Sequence, residues 1–220
     1  MRVVVNAAMS VDGKLSTRRR EQLRISSDAD FERVDQLRAE SDAVMVGVGT
    51  VVADDPSLTV DDPDLRSERE AAGRPANPAR VVADSRIRTP PDARVLDDAA
   101  ATYLLVSEEA TTGFVDRMEE VGATVVTAGE KSVDLPAALE GLAAEGVEQL
   151  MVEGGGELIA GLFEADLVDE LRLYVGSIIV GGRSAPSLAD GDGFVEDFPQ
   201  IALESVERLG EGVLLTYSVP

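Results

Sequence analysis

Three consecutive glycines sit between acids in Glu153-Gly154-Gly155-Gly156-Glu157, after an apolar run at residues 149–152 and before helically spaced Leu158, Ile159, Leu162 and Phe163. Backbone without Cβ atoms can approach a ligand closely, and the start of the following helix offers N–H groups and a positive dipole end to a phosphate. A plain strand-to-helix turn needs one or two glycines, so three point to a nucleotide site. The run is not G-x-G-x-x-G, and an ordinary dinucleotide-binding fold is not implied. Gly47-Val48-Gly49-Thr50 closes another apolar run, with Asp54-Asp55-Pro56 just beyond, and reads equally as a ligand loop or a structural turn. Asp84-Ser85-Arg86 follows a third run. Ser85 and Arg86 suit a 2′-phosphate, the group that separates NADP from NAD, although a solvent-facing arginine explains Arg86 as well. Lys14 lies in Ser10-Val11-Asp12-Gly13-Lys14-Leu15, and the chain has one other lysine, Lys131. A compact ammonium where arginine supplies nearly every other cation suggests a chemical requirement; the alternative is an exposed loop lysine.

The rest of the composition limits the chemistry. Histidine and cysteine are absent, which removes Ser-His-Asp triads, His-metal sites, thiolate metal sites and disulfides. Acid and base work falls to Asp, Glu, Lys, Tyr or substrate groups, and no metal is expected. The formal charge is −22, from 42 acids spread along the chain against 20 bases, which argues against a nucleic-acid partner. Such a surface fits a halophilic protein, where salt screens the self-repulsion, better than a cation-binding one. No apolar run approaches a membrane span, and residues 3–5 are too short for a signal peptide, so a cytoplasmic location is expected. Aromatic residues make up only 4%, leaving the core to aliphatic side chains.

These residues must be positioned by alternating elements. The pattern predicts strands at residues 2–8, 43–46, 80–83, 101–106, 123–126 and 149–152. Helices are predicted at 28–40, capped by Ser27, at 113–121, at 135–144 and after the glycine run. Phe31, Val34, Leu37 and Arg38 carry the helical spacing of the first. Residues 61–78, rich in charge and Pro without periodicity, read as a surface loop. Residues 170–180, 202–209 and 213–219 have strand character, with a hairpin turn near Gly210-Glu211-Gly212. The expectation is one α/β domain spanning 1–220, mostly parallel, with antiparallel C-terminal strands. In such sheets ligands gather at the carboxyl ends of strands, where all the candidate residues fall.

Five ordered segments carry a family resemblance: residues 6–14, Ile25-Ser26-Ser27, residues 37–51, residues 54–60 and Val152-Glu153-Gly154-Gly155-Gly156. In order and spacing the chain resembles the reductases of riboflavin biosynthesis nearly end to end, including the C-terminal reductase domain of the bacterial deaminase-reductases. The resemblance implies a dihydrofolate-reductase-like fold, a homodimer and NADPH-dependent reduction, with NADH as a weaker possibility. The implied substrate is a small phosphorylated pyrimidine, a ribosylamino-pyrimidine 5′-phosphate reduced to its ribitylamino product. No deaminase segment is read ahead of the reductase and His and Cys are lacking, which favours the archaeal and fungal type acting on the 2,5-diamino-pyrimidinone. Asp61 follows Leu58-Thr59-Val60 where bacterial members often have Arg, so the chain departs from the family pattern there, and the resemblance assigns no residue to the substrate phosphate.

By resemblance Lys14 and Glu153 act on the substrate, together with Asn6 and Ser10, and Asp54 lies between substrate and nicotinamide as the third catalytic candidate. Thr50, Asp54, Ser85, Arg86, Gly154, Gly155, Gly156, Glu157 and Leu158 are assigned to the cofactor. Reduction at C1′ requires the ribosylamine to open to an imine; a carboxylate stabilises its protonated form, and an ammonium can donate to the departing ring oxygen. The rivals are a pterin or folate reductase on the same fold and a non-catalytic nucleotide-binding module. The pairing of Lys14 with Glu153 favours turnover over passive binding.

Overall fold

The computed structural model describes residues 1–21 and 23–220. In chain order its elements are β1 (Arg2–Ser10), α1 (Asp28–Glu40), β2 (Ala43–Gly47), α2 (Val48–Asp54), α3 (Pro63–Ala71), β3 (Ala79–Ala83), β4 (Thr102–Val106), α4 (Thr112–Glu120), β5 (Thr124–Thr127), α5 (Leu135–Ala144), β6 (Gln149–Gly154), α6 (Gly156–Glu164), β7 (Glu170–Gly176), β8 (Ala202–Leu209) and β9 (Gly212–Ser218). The chain divides into two compact units, one of Met1 and Asp35–Met151, the other of Arg2–Val34 and Val152–Pro220.

In the first unit the strands run β5-β4-β3-β2, all parallel. Val44, Met45, Val46, Val81, Val82, Leu104 and Leu105 are wholly buried, which is why these strands read as continuous aliphatic runs instead of alternating ones. Each such side chain contributes about 1.5–3 kcal/mol by leaving water. Register pairs Gly47 with Ala83, so the polypeptide leaves β2 and β3 side by side at their carboxyl ends.

In the second unit β1 runs parallel to β7, and β7-β9-β8 are antiparallel. Gly210 and Glu211 form the two-residue turn between β8 and β9. Val3, Val4 and Val5 of β1, Leu171 and Tyr174 of β7, and Ile159 and Leu162 of α6 form the buried side of this unit. The α/β class, the parallel strands and the antiparallel C-terminal strands are as the sequence predicts.

Three local expectations are corrected. Residues 61–78 are not all loop: Asp62 caps α3, its side chain accepting from the Asp64 amide, with Pro63 at the first helical positions. No apolar stripe betrays this helix, because what it buries is the Arg69 guanidinium. Its Nη1 donates to Ala39 O at 2.6 Å and Ser41 O at 2.8 Å, its Nε to Pro75 O at 2.9 Å, and burial lowers its pKa to about 10. Gly47-Val48-Gly49-Thr50 does not open a loop but enters α2, with Gly47 as N-cap. The strand read over 170–180 stops at Gly176, where Ile178 N turns back onto Gly176 O. The predicted face of α1 also differs in detail. Phe31 is 49% exposed, beneath the Arg24 guanidinium, while Asp30 and Asp35 are buried. Arg33 neutralises Asp30, and Asp35 accepts the Asp61 and Asp62 amides at 2.7 and 2.8 Å.

Candidate active site

In the first unit the candidate residues lie beyond β2 and β3. Thr50 is half-buried in the first turn of α2, and Asp54 ends it. Asp54 still reaches solvent, yet desolvation by the protein around it raises its carboxyl above the usual value. Beyond β3, the fully buried Asp84 accepts from Arg88 N, Thr89 N and Thr89 Oγ1, each at 2.7 Å, and so fixes the turn that displays Ser85 and Arg86. The Ser85 hydroxyl accepts from Val133 N at 3.1 Å, and its carbonyl accepts from Ser107. Arg86 is exposed and pairs with Glu109 at 3.2 Å. Next to Val133, an open depression of about 530 Å³ is lined by Gly129, Glu130, Lys131, Ser132, Asp134 and Pro136. Sequence reading missed this loop; the placement of the chain's second lysine there was the one available signal.

In the second unit the loop after β1 is built by Ser10 and Asp12. Ser10 is fully buried; its hydroxyl donates to Asp12 at 2.6 Å and accepts from Lys14 N at 3.0 Å. Asp12 also accepts from Val180 N at 3.0 Å and Gly181 N at 2.7 Å. No sequence signal marks Asp12, since its amide partners are remote in the chain. Lys14 then donates from Nζ to Ala185 O at 3.2 Å, pairs with Ser187 in an isolated bridge, and is followed by Leu15 N bonding Pro186 O. Asn6, 6% exposed, accepts from Arg33 Nη2 at 2.7 Å. A guanidinium only donates, so the Asn6 carbonyl faces Arg33 and its NH₂ points the other way.

Asp12 gives a testable pH dependence. The Ser10 hydroxyl bond, then those from the Val180 and Gly181 amides, hold its carboxyl down at about 2 from 3.8. Because the folded value is depressed, the stabilisation is complete above 3.8 and is lost as pH falls from 3.8 toward about 2. Wild type should therefore melt higher than Asp12→Asn at neutral pH, and the two melting curves should converge on acidification through that window. A gap that persists below it would mean the charge of Asp12 is not what matters.

Glu153 is half-buried near the end of β6, and Gly154 has φ +132, a conformation that suits glycine. A Cβ at Gly154 would meet nothing within 4 Å, so the backbone there is open to approach. Gly155 caps α6 with no side-chain hydrogen bond, leaving the first amides of a nine-residue helix without a side-chain acceptor. These features fit a phosphate-bearing cofactor; the exposed Glu157 in that first turn adds a negative charge that works against it. Leu158 is buried, so only its backbone is available to a ligand. Gly156 has a different reason to be glycine. Its Cβ would lie 2.5 Å from Ser187 O and 2.7 Å from the Asp190 carboxylate. Asp190 N bonds Gly156 O at 3.1 Å, and Ser187 bonds Asp190. Residues 185–190 thus tie the Lys14 loop to the glycine turn. No cluster of His, Cys, Asp or Glu fit for a metal occurs among the described residues. No described helix is long and apolar enough to cross a membrane.

An α/β chain of this topology, with a glycine turn between β6 and α6, is of the dihydrofolate-reductase-like class. The family model of the RibD C-terminal domain matches residues 1–215, and the chain belongs to that family. It is 50% identical over 214 residues to the 2,5-diamino-6-ribosylamino-4(3H)-pyrimidinone 5′-phosphate reductase of Archaeoglobus fulgidus, covering 97% of this chain and 96% of the relative. Identity is 44% over 219 residues to the protein of the same name from Methanothermobacter thermautotrophicus, covering 99% and 97%. Among solved structures, a pyrimidine reductase-like protein from Corynebacterium diphtheriae shares the fold with a TM-score of 0.85 at 18% identity, covering 100% of this chain and 92% of its own.

Proposed function

We propose that the chain reduces 2,5-diamino-6-(ribosylamino)-4(3H)-pyrimidinone 5′-phosphate to the ribitylamino product in riboflavin biosynthesis, using NADPH. The carrying observation is the near full-length identity to two archaeal reductases of that name. The tie between the Lys14 loop and the glycine turn supports an oxidoreductase that needs both a cation and a nucleotide site. When bound, the nicotinamide supplies hydride. The chain's own residues do the rest: Lys14 donates to the ring oxygen as C1′ opens to the imine, and Glu153 stabilises its protonated form. Asn6 offers its NH₂ to a substrate acceptor, Ser10 holds the Lys14 loop, and we assign Asp54, by resemblance, to the boundary between pyrimidine and nicotinamide. Thr50, Ser85, Arg86 and residues 154–158 bind the cofactor. The whole of 1–220 acts as one reductase domain.

Loss of NADPH absorbance with the diamino-pyrimidinone, its deaminated counterpart and dihydrofolate tests this reading. A buried acceptor left unpaired by the wrong pyrimidine costs about 1–3 kcal/mol, so a preference of roughly ten-fold or more in kcat/KM for the diamino compound is expected. Activity on dihydrofolate alone would favour a folate reductase, and no turnover at all a nucleotide-binding module.

NADPH over NADH rests on Arg86, which gives a separate prediction. Arg86→Ala should weaken NADPH by roughly 1–3 kcal/mol and NADH far less, because only NADPH carries the 2′-phosphate. Equal losses would leave Arg86 as the surface partner of Glu109. The homodimer is supported by exposed Leu203 and Val206 on the edge strand β8 and by neighbouring Phe198 and Ile201. The net charge of −22 supports an acidic, halophilic surface.

A further inference from the structure

We propose that Arg33 is a positioning residue, which fixes the Asn6 carboxamide so that the substrate meets a hydrogen-bond donor there and not an acceptor; this rests on the reading that Asn6 touches the substrate. An asparagine side chain carries a carbonyl and an NH₂ of nearly equal size, and turning it about its last bond exchanges one for the other. In β1 the Asn6 carbonyl accepts from Arg33 Nη2 at 2.7 Å. The turned amide would set NH₂ against a group that only donates, so Arg33 excludes it. Among the described residues the Asn6 NH₂ has no partner, and it is not one of the polar groups sealed from solvent. It is the end left for a ligand. Ser10, which holds the Lys14 loop, lies on the same face of the strand, with the half-buried Ala8 between them.

The ion pair that anchors Arg33 is a poor stabiliser of the fold. Arg33 Nε and Nη2 both donate to Asp30 Oδ1, at 2.9 and 2.7 Å, which leaves Asp30 Oδ2 and Arg33 Nη1 buried with no hydrogen-bond partner. The Asp30 side chain is 1% exposed and that of Arg33 17%. Two charges buried in a half-satisfied network stabilise a fold little, if at all, beyond what apolar side chains of similar size would do. What the pair does supply is geometry. The carboxylate holds the guanidinium from the first turn of α1, and Nη2 of that guanidinium bridges Asp30 to Asn6, one element setting a side chain of another. A planar fork makes such a bridge without losing its grip on the carboxylate, which a point charge cannot do.

The test uses two proteins that remove the bridge and keep the fold. Arg33→Lys leaves a cation beside Asp30, and Asp30→Asn with Arg33→Met takes both buried charges away together. Both should melt close to wild type and lose about five- to ten-fold in kcat/KM, mainly through KM, the size expected for one lost hydrogen bond. Asn6→Ala should lose as much, and adding it to either protein should cause no further loss, whereas a merely structural ion pair would give additive losses. A second readout needs no turnover. Asn6 and Asn77 are the asparagines of the chain, so isotope labelling of asparagine nitrogen gives two side-chain NH₂ signals. Asn77, held by Val60 N and Ala99 O, serves as the reference. The ribitylamino product should shift the Asn6 signal, and loss of Arg33 should shift or broaden it before any ligand is added. An Asn6 signal indifferent to the product or to the loss of Arg33, wild-type kcat/KM in both proteins, or losses that add to that of Asn6→Ala, overturns the assignment. If wild type fails to reduce the pyrimidine, the proposed function falls, while the response of the Asn6 signal to Arg33→Lys still decides whether Arg33 sets the amide.

Discussion

Turnover in Lys14→Met and in Glu153→Gln is expected to fall by roughly 10²–10⁴-fold, the usual contribution of a positioned acid or base, while both variants still bind NADPH. Each proposed contact strengthens as the ribosylamine opens: the ammonium meets a ring oxygen gaining negative charge, the carboxylate an iminium gaining positive charge. Ground-state binding changes less, so the loss should appear in kcat more than in KM. Lys14 also donates to Ala185 O, and Met leaves that carbonyl without its partner. Lys14→Arg separates the two roles, since it can keep the carbonyl bond but replaces the compact donor by a bulkier, less acidic fork. It should remain folded and still lose most activity. Measuring kcat at saturation beside NADPH affinity by fluorescence titration checks all three variants. Near-wild-type kcat in both Lys14→Met and Glu153→Gln would remove these residues from the chemistry.

Residues that follow strands were legible because chemistry and periodicity coincide there. The aliphatic runs of β1, β2, β3 and β6 each end in glycine or polar residues, and Lys14, Ser85 and Glu153 stand at those ends. The bounds of α1, α5 and β8 follow from caps and patterning alone. What could not be read was any polar residue whose partner is distant in sequence. Asp35, Arg69 and Arg80 look like solvated surface charges, and each is buried against carbonyls, amides or an opposite charge. A helix whose anchor is such a residue has no apolar stripe, which is why α3 hid in an apparent loop. Ser10 shows a different limit within the site, since its partners are close in sequence. Its position after β1 suggests a substrate contact, but its hydroxyl is engaged on both sides by Asp12 and the Lys14 amide. In sequence the glycine run presents itself as a single ligand device, whereas its members differ: Gly154 faces open space and Gly156 is covered by Ser187 and Asp190.

That difference yields the second large effect. Gly156→Ala would place a methyl 2.5 Å from Ser187 O and 2.7 Å from the Asp190 carboxylate, distances real Cβ atoms do not adopt. A flexible side chain could swing away, but the Ser187 carbonyl is backbone. It is held by the Ser187 amide on Asp190 and by the bridge to Lys14. The methyl must therefore displace residues 187–190, breaking the Asp190 amide bond to Gly156 O. Overpacking of this kind costs about 1–3 kcal/mol. The displacement also propagates both ways along residues 185–190, so NADPH affinity and kcat should fall together, unlike the kcat-only loss in Lys14→Met. Removing the carboxylate with Asp190→Ala in the same chain relieves only one of the two clashes and should not rescue activity. Gly113→Ala, where a Cβ meets nothing within 4 Å in α4, is the matched control and should be neutral or stabilising by about 0.4–1 kcal/mol. Thermal melts, NADPH titrations and steady-state rates on these variants decide the matter: a Gly156→Ala protein with wild-type melting and wild-type NADPH affinity would mean that residues 185–190 do not couple Lys14 to the glycine turn.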